Sequence, residues 1–128
     1  MTKFKTTAMF AALTALPLTA LSAQAGWVPG TEIVGQSIQV ETSGVTNTVY
    51  FDQGGSARIM TPMGHMVPAN WTAANGQLCL NSASAQECWP YQSPFAAGQR
   101  MTLTSSCNTT SQWLPTATNA LASPGERG

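Results

Sequence analysis

The dipeptide Asn75-Gly76 is the feature that most restricts how this chain can fold. Asn-Gly favours a two-residue type I′ turn between antiparallel strands, and such a turn fixes which residues face each other. With these two residues at the turn, Thr72 lies opposite Cys79. A second reversal centred on residues 83–84 then places Cys79 opposite Cys88. The two turns therefore predict three neighbouring strands in which the two cysteines lie side by side.

Alternation along these strands divides their side chains between two faces. One face carries the apolar and aromatic residues Trp71, Ala73, Leu78, Leu80, Trp89 and Tyr91, and the other carries Thr72, Cys79 and Cys88. Glu87 belongs to the aromatic face, and its place near a hairpin tip predicts that it reaches solvent. The cysteines form a non-hydrogen-bonded pair, whose Cα atoms are about 4.5 Å apart. We therefore predict a Cys79–Cys88 disulfide and a reduced Cys107.

The rest of the chain repeats this pattern of short strands and turns. β-Branched and aromatic residues alternate with polar ones between Gly, Pro and Asn, which is typical of antiparallel all-β domains. We predict strands over residues 37–41, 46–51, 56–61, 70–74, 77–81, 86–91, 99–105 and 111–114, with a loop over 62–68. The sequence thus predicts one small antiparallel meander sheet or barrel of about seven or eight strands.

The first 25 residues predict export. Lys3 and Lys5 precede an apolar run, and Ala23-Gln24-Ala25 supplies the small residues of a signal-peptide cleavage site. We predict a signal peptide over residues 1–25, a β-domain over 26–114 and a flexible tail over 115–128. The mature protein would be periplasmic or secreted, with no membrane insertion after cleavage.

The charge of the predicted mature chain excludes one class of partner. Residues 26–128 contain three arginines, no lysine and five carboxylates, a formal charge of −2 with His65 neutral. Nucleic-acid binding needs a basic surface, so we predict no nucleic-acid partner. Few side chains are left to act as acids or bases at neutral pH, which disfavours an enzyme.

Three methionines and the only histidine lie close together, at Met60, Met63, His65 and Met66. Two interpretations are open. In the first, Met63 and Met66 fill the mouth of the core, since methionine packs well into irregular gaps, and His65 is exposed. In the second, the four residues bind copper, because thioether and imidazole ligands suit that metal. We favour the first interpretation, predict no cofactor and keep copper as the alternative.

Other groupings that could carry catalysis are incomplete. The chain has no Gly-x-Ser-x-Gly motif, and a hydrolase triad would need Asp52 and His65 to meet beside a nucleophile. Cys107 with His65 is a formal nucleophile and base. Three glutamates are candidates for a carboxylate pair, Glu32, Glu41 and Glu87. Because no spacing brings any of these groups together, we predict no catalytic residues.

Three short segments resemble a family of small secreted alphaproteobacterial β-domains, 70–72 (Asn-Trp-Thr), 75–79 (Asn-Gly-Gln-Leu-Cys) and 87–89 (Glu-Cys-Trp). In that family a Gly-x-Trp segment precedes a Leu-Cys strand and a second cysteine. The resemblance covers residues 38–103. This chain differs by having Pro68-Ala69-Asn70 where a glycine commonly precedes the tryptophan, and by its third cysteine. The family implies a secreted β-domain but no activity, so no site residue is carried over.

These observations together predict a non-enzymatic exported β-domain. It would act as an interaction, envelope-associated or inhibitor-like module, and its partner would be a protein or a small ligand. The alternative is a periplasmic copper-binding protein that uses the Met/His loop.

Overall fold

A computed structural model describes residues 26–121, so the predicted signal peptide and residues 122–128 lie outside the described residues. The strands are Gln36–Thr42 (β1), Val45–Phe51 (β2), Ser56–Met60 (β3), Met66–Ala74 (β4), Gln77–Asn81 (β5), Gln86–Pro90 (β6), Met101–Thr104 (β7) and Thr110–Pro115 (β8). All pairings between them are antiparallel. The predicted all-β fold is therefore confirmed. Within residues 26–121, no helix has the length and hydropathy of a membrane span.

The eight strands form one sheet in the order β6-β5-β4-β3-β2-β1-β8-β7, which curls into a nearly closed barrel. The edge strands β6 and β7 meet at a seam that serines bridge. The Ser106 amide donates to the Cys88 carbonyl oxygen over 2.8 Å, and the Cys88 amide donates to Ser106 Oγ over 3.1 Å. These contacts give hydrogen-bond partners to backbone groups at the edge of β6, although no full strand ladder forms between β6 and β7.

The predicted register of the central hairpins is confirmed. Thr72 pairs with Cys79, and Cys79 pairs with Cys88. Asn75 and Gly76 have φ values of 55° and 75°, as both central residues of a type I′ turn require. Cys79 and Cys88 form the disulfide, with their Cα atoms 4.0 Å apart, and Cys107 is free. In the chain-entropy view this bridge stabilises the fold by about 2–3 kcal/mol.

The predicted loop over 62–68 is wrong in its last three residues, because β4 begins at Met66. Pro68 lies inside this strand, opposite Arg58 of β3, whereas β5 ends opposite Asn70. Since hydrogen bonding alternates along a strand, the Pro68 nitrogen points to the side where β5 has already ended. The missing N–H group therefore removes no ladder hydrogen bond, and proline is tolerated there.

One end of the barrel is closed and the other is open. Residues 26–35 and 91–99 cover the closed end, where Ile33, Phe51 and Tyr91 are buried. The open end carries the turns at residues 43–44, 61–65, 82–85 and 105–109. The buried core is formed by Ile33, Ile38, Val40, Val49, Phe51, Leu78, Trp89, Tyr91, Phe95 and Trp113. Inward-facing side chains thus fill the closed half of the barrel.

The chain after β8 is tied to the closed end. The predicted boundary between residues 114 and 115 falls inside β8, whose last residue, Pro115, is buried. Further along, Asn119 Nδ2 donates to the carbonyl oxygens of Thr31 and Val34 over 3.0 and 2.8 Å. Asn119 Oδ1 accepts from Gln36 Nε2 over 2.7 Å. Asn119 therefore fastens the chain after β8 to the segment that covers the closed end.

Candidate functional site

A cavity of about 320 Å³ opens at the open end of the barrel. Its apolar lining consists of Val40, Val49, Ile59, Leu80, Trp89 and Trp113. Its polar lining consists of Thr42, Asn47, Glu87, Cys107, Thr109 and Ser111. Cavities of about 300–1,000 Å³ with mainly apolar walls and a few polar groups are typical of small-molecule sites. The cavity therefore has the size and chemistry of a small binding site.

Two tryptophans form the floor of this cavity. Trp113 pairs with Val40 of β1, and Trp89 pairs with Leu78 of β5, so both rings point into the barrel. Their centroids are 4.9 Å apart in an edge-to-face arrangement, and Phe95 stacks on Trp113 at 5.6 Å. Aromatic pairs of this kind add about 0.5–1.5 kcal/mol beyond the area they bury. This aromatic floor, Trp89 and Trp113, is thus held rigidly by the core behind it.

The indole nitrogens of the aromatic floor lack hydrogen-bond partners. Among residues 26–121, Trp89 Nε1 and Trp113 Nε1 are the buried side-chain polar atoms without a partner. Trp27 Nε1 instead donates to Glu32 Oε1, and Trp71 Nε1 donates to the Asp52 carbonyl oxygen, each over 2.9 Å. A buried donor without a partner costs about 1–3 kcal/mol. Both unpaired donors therefore belong to the floor of the cavity.

Glu87 is the charged residue of the cavity lining. Its predicted place on the aromatic face is confirmed, since it lies opposite Leu80. Its carboxylate is half-buried rather than free in solvent, because it lies at the rim and Oε2 accepts from Ser105 Oγ over 2.6 Å. Sequence reasoning put Glu87 on the correct face but missed its place in a cavity.

The prediction that Met63 and Met66 fill the mouth of the core is wrong. Their side chains are 83% and 43% exposed. Alternation explains Met66, because Trp71 faces inward and Met66, five residues earlier in the same strand, must face outward. Met63 lies at the tip of the hairpin between β3 and β4, beyond the sheet.

The same hairpin distributes the four candidate copper ligands over two faces. Met60 and Met66 are direct cross-strand neighbours on the outer face. His65 precedes Met66 and pairs with Thr61, whose amide donates to the His65 carbonyl oxygen over 2.9 Å. Alternation therefore directs His65 to the opposite face. In the described part of the chain, no group of three His, Cys, Asp or Glu side chains could hold a metal ion.

The groups that the sequence analysis considered for catalysis lie apart in the structure. Asp52 lies at the closed end, where its carboxylate accepts from Arg58 Nε and Nη2 over 2.8 and 3.0 Å. This hydrogen-bonded guanidinium lowers the pKa of Asp52. His65 lies at the other end of β3, in the hairpin at the open end. Cys107 lies on the turn between β7 and β8, across the barrel mouth from that hairpin. Neither Asp52 nor Cys107 therefore lies beside His65 as a hydrolase triad or a thiol–imidazole pair would require.

The three glutamates also lie apart. Glu41 lies on the outer face of β1 beside Gln112, and Glu87 lies at the cavity rim. Glu32 is only 1% exposed and lies at the closed end. No two of them share a site of the kind that glycoside cleavage needs.

The carboxylate of Glu32 is buried and accepts three hydrogen bonds, an arrangement that sequence reasoning missed. Glu32 Oε1 accepts from Trp27 Nε1 over 2.9 Å. Glu32 Oε2 accepts from the Tyr91 hydroxyl over 2.5 Å and from the Phe95 amide over 2.9 Å. Burial, together with the hydrogen bond to Glu32, raises the pKa of Tyr91. This network locks the closed end, and its burial keeps it away from any ligand in the cavity.

No family model matches the chain, and comparison with curated proteins and with solved structures finds no match either. The resemblance to small secreted alphaproteobacterial β-domains therefore stays a prediction. What the protein does has to be inferred from the geometry of residues 26–121.

Proposed function

We propose that this protein is an exported, non-enzymatic β-barrel that binds a small, largely apolar molecule at its open end. The observation that carries the proposal is the open cavity of about 320 Å³ above the aromatic floor. Burying apolar ligand surface contributes roughly 25 cal/mol per Å², and a preformed cavity avoids the cost of ordering the protein on binding. Binding of a protein partner instead of a small molecule is the alternative that the sequence analysis left open.

The described structure supports the non-enzymatic part of the proposal by its distribution of reactive groups. Asp52 is hydrogen-bonded to Arg58 at the closed end, and His65 lies in a hairpin at the open end, next to the start of β4. The export part rests on the predicted signal peptide, and it agrees with the Cys79–Cys88 disulfide. Disulfides persist mainly in oxidising compartments such as the periplasm and the extracellular space.

Filling the cavity is expected to abolish binding without unfolding the barrel. Leu80→Trp adds a large side chain to a half-buried wall position, while Thr72→Trp adds the same side chain to the exposed outer face of β4. Isothermal titration calorimetry with 2-phenylethanol should give saturable heat for the wild type and for Thr72→Trp. Leu80→Trp should give none, with an unchanged circular dichroism spectrum. Equal binding by all three proteins would show that the ligand does not occupy the cavity.

Copper binding is the second candidate, and the exposure of Met63 and Met66 is the observation that favours it. Both thioethers are open to a soft cation such as Cu(I). Because His65 and Met66 take opposite faces, we expect Cu(I) to bind weakly and Met63→Ala to change its affinity little. Titration against a chromophoric Cu(I) chelator measures this. A tight one-to-one complex that is lost in both Met63→Ala and His65→Ala would favour the copper function over the cavity.

Both methionine variants should also leave the fold intact. The core interpretation of Met63 and Met66 predicted a loss of about 2–5 kcal/mol on truncation. Exposed side chains change stability by roughly 0.5 kcal/mol or less. Urea denaturation of Met63→Ala and Met66→Ala, run beside the copper titration, separates a lost ligand from a lost fold.

A further inference from the structure

We infer that the ligand of the cavity is a small organic cation, an aromatic or alkyl ammonium whose charge is held by Glu87. This inference rests on the proposed binding function of the cavity. Glu87 lies at the rim and the aromatic floor lies beneath it. A molecule with an apolar body and one amino group therefore places each part against a matching surface.

The charge of the cavity lining favours a cation. Glu87 is its one charged residue, and no lysine or arginine belongs to the lining. Arg58 is bound to Asp52 on the outer surface, and Arg100 precedes β7 at the closed end. Within residues 26–121, Glu87 forms no salt bridge of its own. A cation in the cavity would supply the missing opposite charge, whereas an anion would be repelled.

The carboxylate of Glu87 is held in place by a hydrogen bond but can still accept further hydrogen bonds. Ser105 Oγ donates to Oε2 over 2.6 Å, and the Cys107 amide donates to the same Ser105 hydroxyl over 3.1 Å. Ser105 is itself buried, so the carboxylate is held in one place at the seam. An ionised carboxylate has about four acceptor positions, and this arrangement leaves capacity for an ammonium group.

The aromatic floor matches the apolar body of such a ligand. Trp89 and Trp113 line the bottom of the cavity, and Phe95 stacks on the Trp113 ring from the core side. The floor therefore offers apolar contact to the body of the ligand, while the ammonium group stays at the rim beside Glu87. Trp89 and Glu87 lie two residues apart on β6, and their side chains therefore share the inner face.

Three ligands with one phenyl ring test this inference by calorimetry: 2-phenylethylammonium, 2-phenylethanol and phenylacetate. We expect the ammonium to bind about tenfold or more tightly than the alcohol, as a charged hydrogen bond allows, and the carboxylate to bind most weakly. Glu87→Gln should reduce the ammonium to the affinity of the alcohol. Glu41→Gln, which changes a glutamate on the outer face, should leave the tenfold preference unchanged.

The outcomes separate this inference from the function on which it rests. Equal affinity of the wild type for the ammonium and the alcohol would overturn the cation preference and leave the cavity as a binding site. Failure of all three ligands to bind would overturn both. If Glu87→Gln does not fold, the salt dependence of the wild type decides. The affinity for the ammonium should fall when the salt concentration is raised from 50 to 500 mM, because salt screens its attraction to Glu87. The affinity for the uncharged alcohol should not change.

Discussion

Glu32→Ala is expected to lower the free energy of unfolding by about 3 kcal/mol or more, because it removes the shared acceptor of three donors at the closed end. The Trp27 indole, the Tyr91 hydroxyl and the Phe95 amide all donate to this carboxylate. Truncation leaves these donors without their acceptor at the closed end, at about 1–3 kcal/mol for each buried donor that finds no new partner. Urea denaturation followed by tryptophan fluorescence measures the loss.

Glu41→Ala is the matched control for this substitution. Glu41 lies on the outer face of β1, beside Gln112 and Thr46. Substitutions away from buried networks change stability by roughly 0.5 kcal/mol or less. If Glu32→Ala shifted the urea midpoint no more than Glu41→Ala, the network would not hold the closed end together.

The barrel is also expected to lose stability at alkaline pH through Tyr91. Its pKa is raised in the folded protein by burial and by the hydrogen bond to Glu32. Above the unfolded-state pKa of about 10, the unfolded chain releases this proton while the folded protein keeps it. Stability is therefore fully present below about pH 10 and falls by up to about 1.4 kcal/mol per pH unit above it. Denaturation midpoints measured at several pH values between 9 and 12 would show this decline.

Tyr91→Phe isolates the contribution of this one hydroxyl. The variant should be less stable than the wild type at neutral pH, because the hydroxyl also accepts from the Gly30 amide over 2.9 Å. Its stability should nevertheless decline less steeply above pH 10, since the titrating group has gone. Parallel slopes for the two proteins would show that Tyr91 keeps an ordinary pKa in the fold.

The hairpin register could be predicted because it depends on local chemistry. Asn75 and Gly76 adopt the positive φ values that their turn demands, and strict alternation then fixes every cross-strand pair on either side. The disulfide and the shared face of Trp71, Leu78 and Trp89 follow from that register.

The outward direction of Met66 follows from the same alternation, but the predicted strand was too short to include this residue. The predicted strand began at residue 70 and left residues 62–68 in a loop. Extending the alternation from Trp71 back through Pro68 would have placed Met66 on the outer face. The incorrect core interpretation of Met66 therefore came from the misplaced start of the strand, and not from an error in the two-residue alternation.

The cavity and the Glu32 network depend on contacts that no local pattern records. Tyr91 and Phe95 lie 59 and 63 residues after Glu32 in the chain. The cavity depends on the approach of β6 to β7, which brings Glu87 and Trp113 into the lining of one space. Closure of a sheet into a barrel joins strands that are distant in the sequence. The volumes of the side chains at the open end then decide whether a cavity remains.

The four indole N–H groups give the most direct test of the binding function. We expect addition of 2-phenylethanol to ¹⁵N-labelled protein to move the indole resonances of Trp89 and Trp113, which form the cavity floor. The resonances of Trp27 and Trp71 should stay in place, because their N–H groups are hydrogen-bonded elsewhere, to Glu32 and to the Asp52 carbonyl oxygen. Assigned two-dimensional ¹H–¹⁵N spectra over a titration measure this. Shifts confined to Trp27 or Trp71, or no shifts at saturating ligand, would contradict a ligand in the cavity.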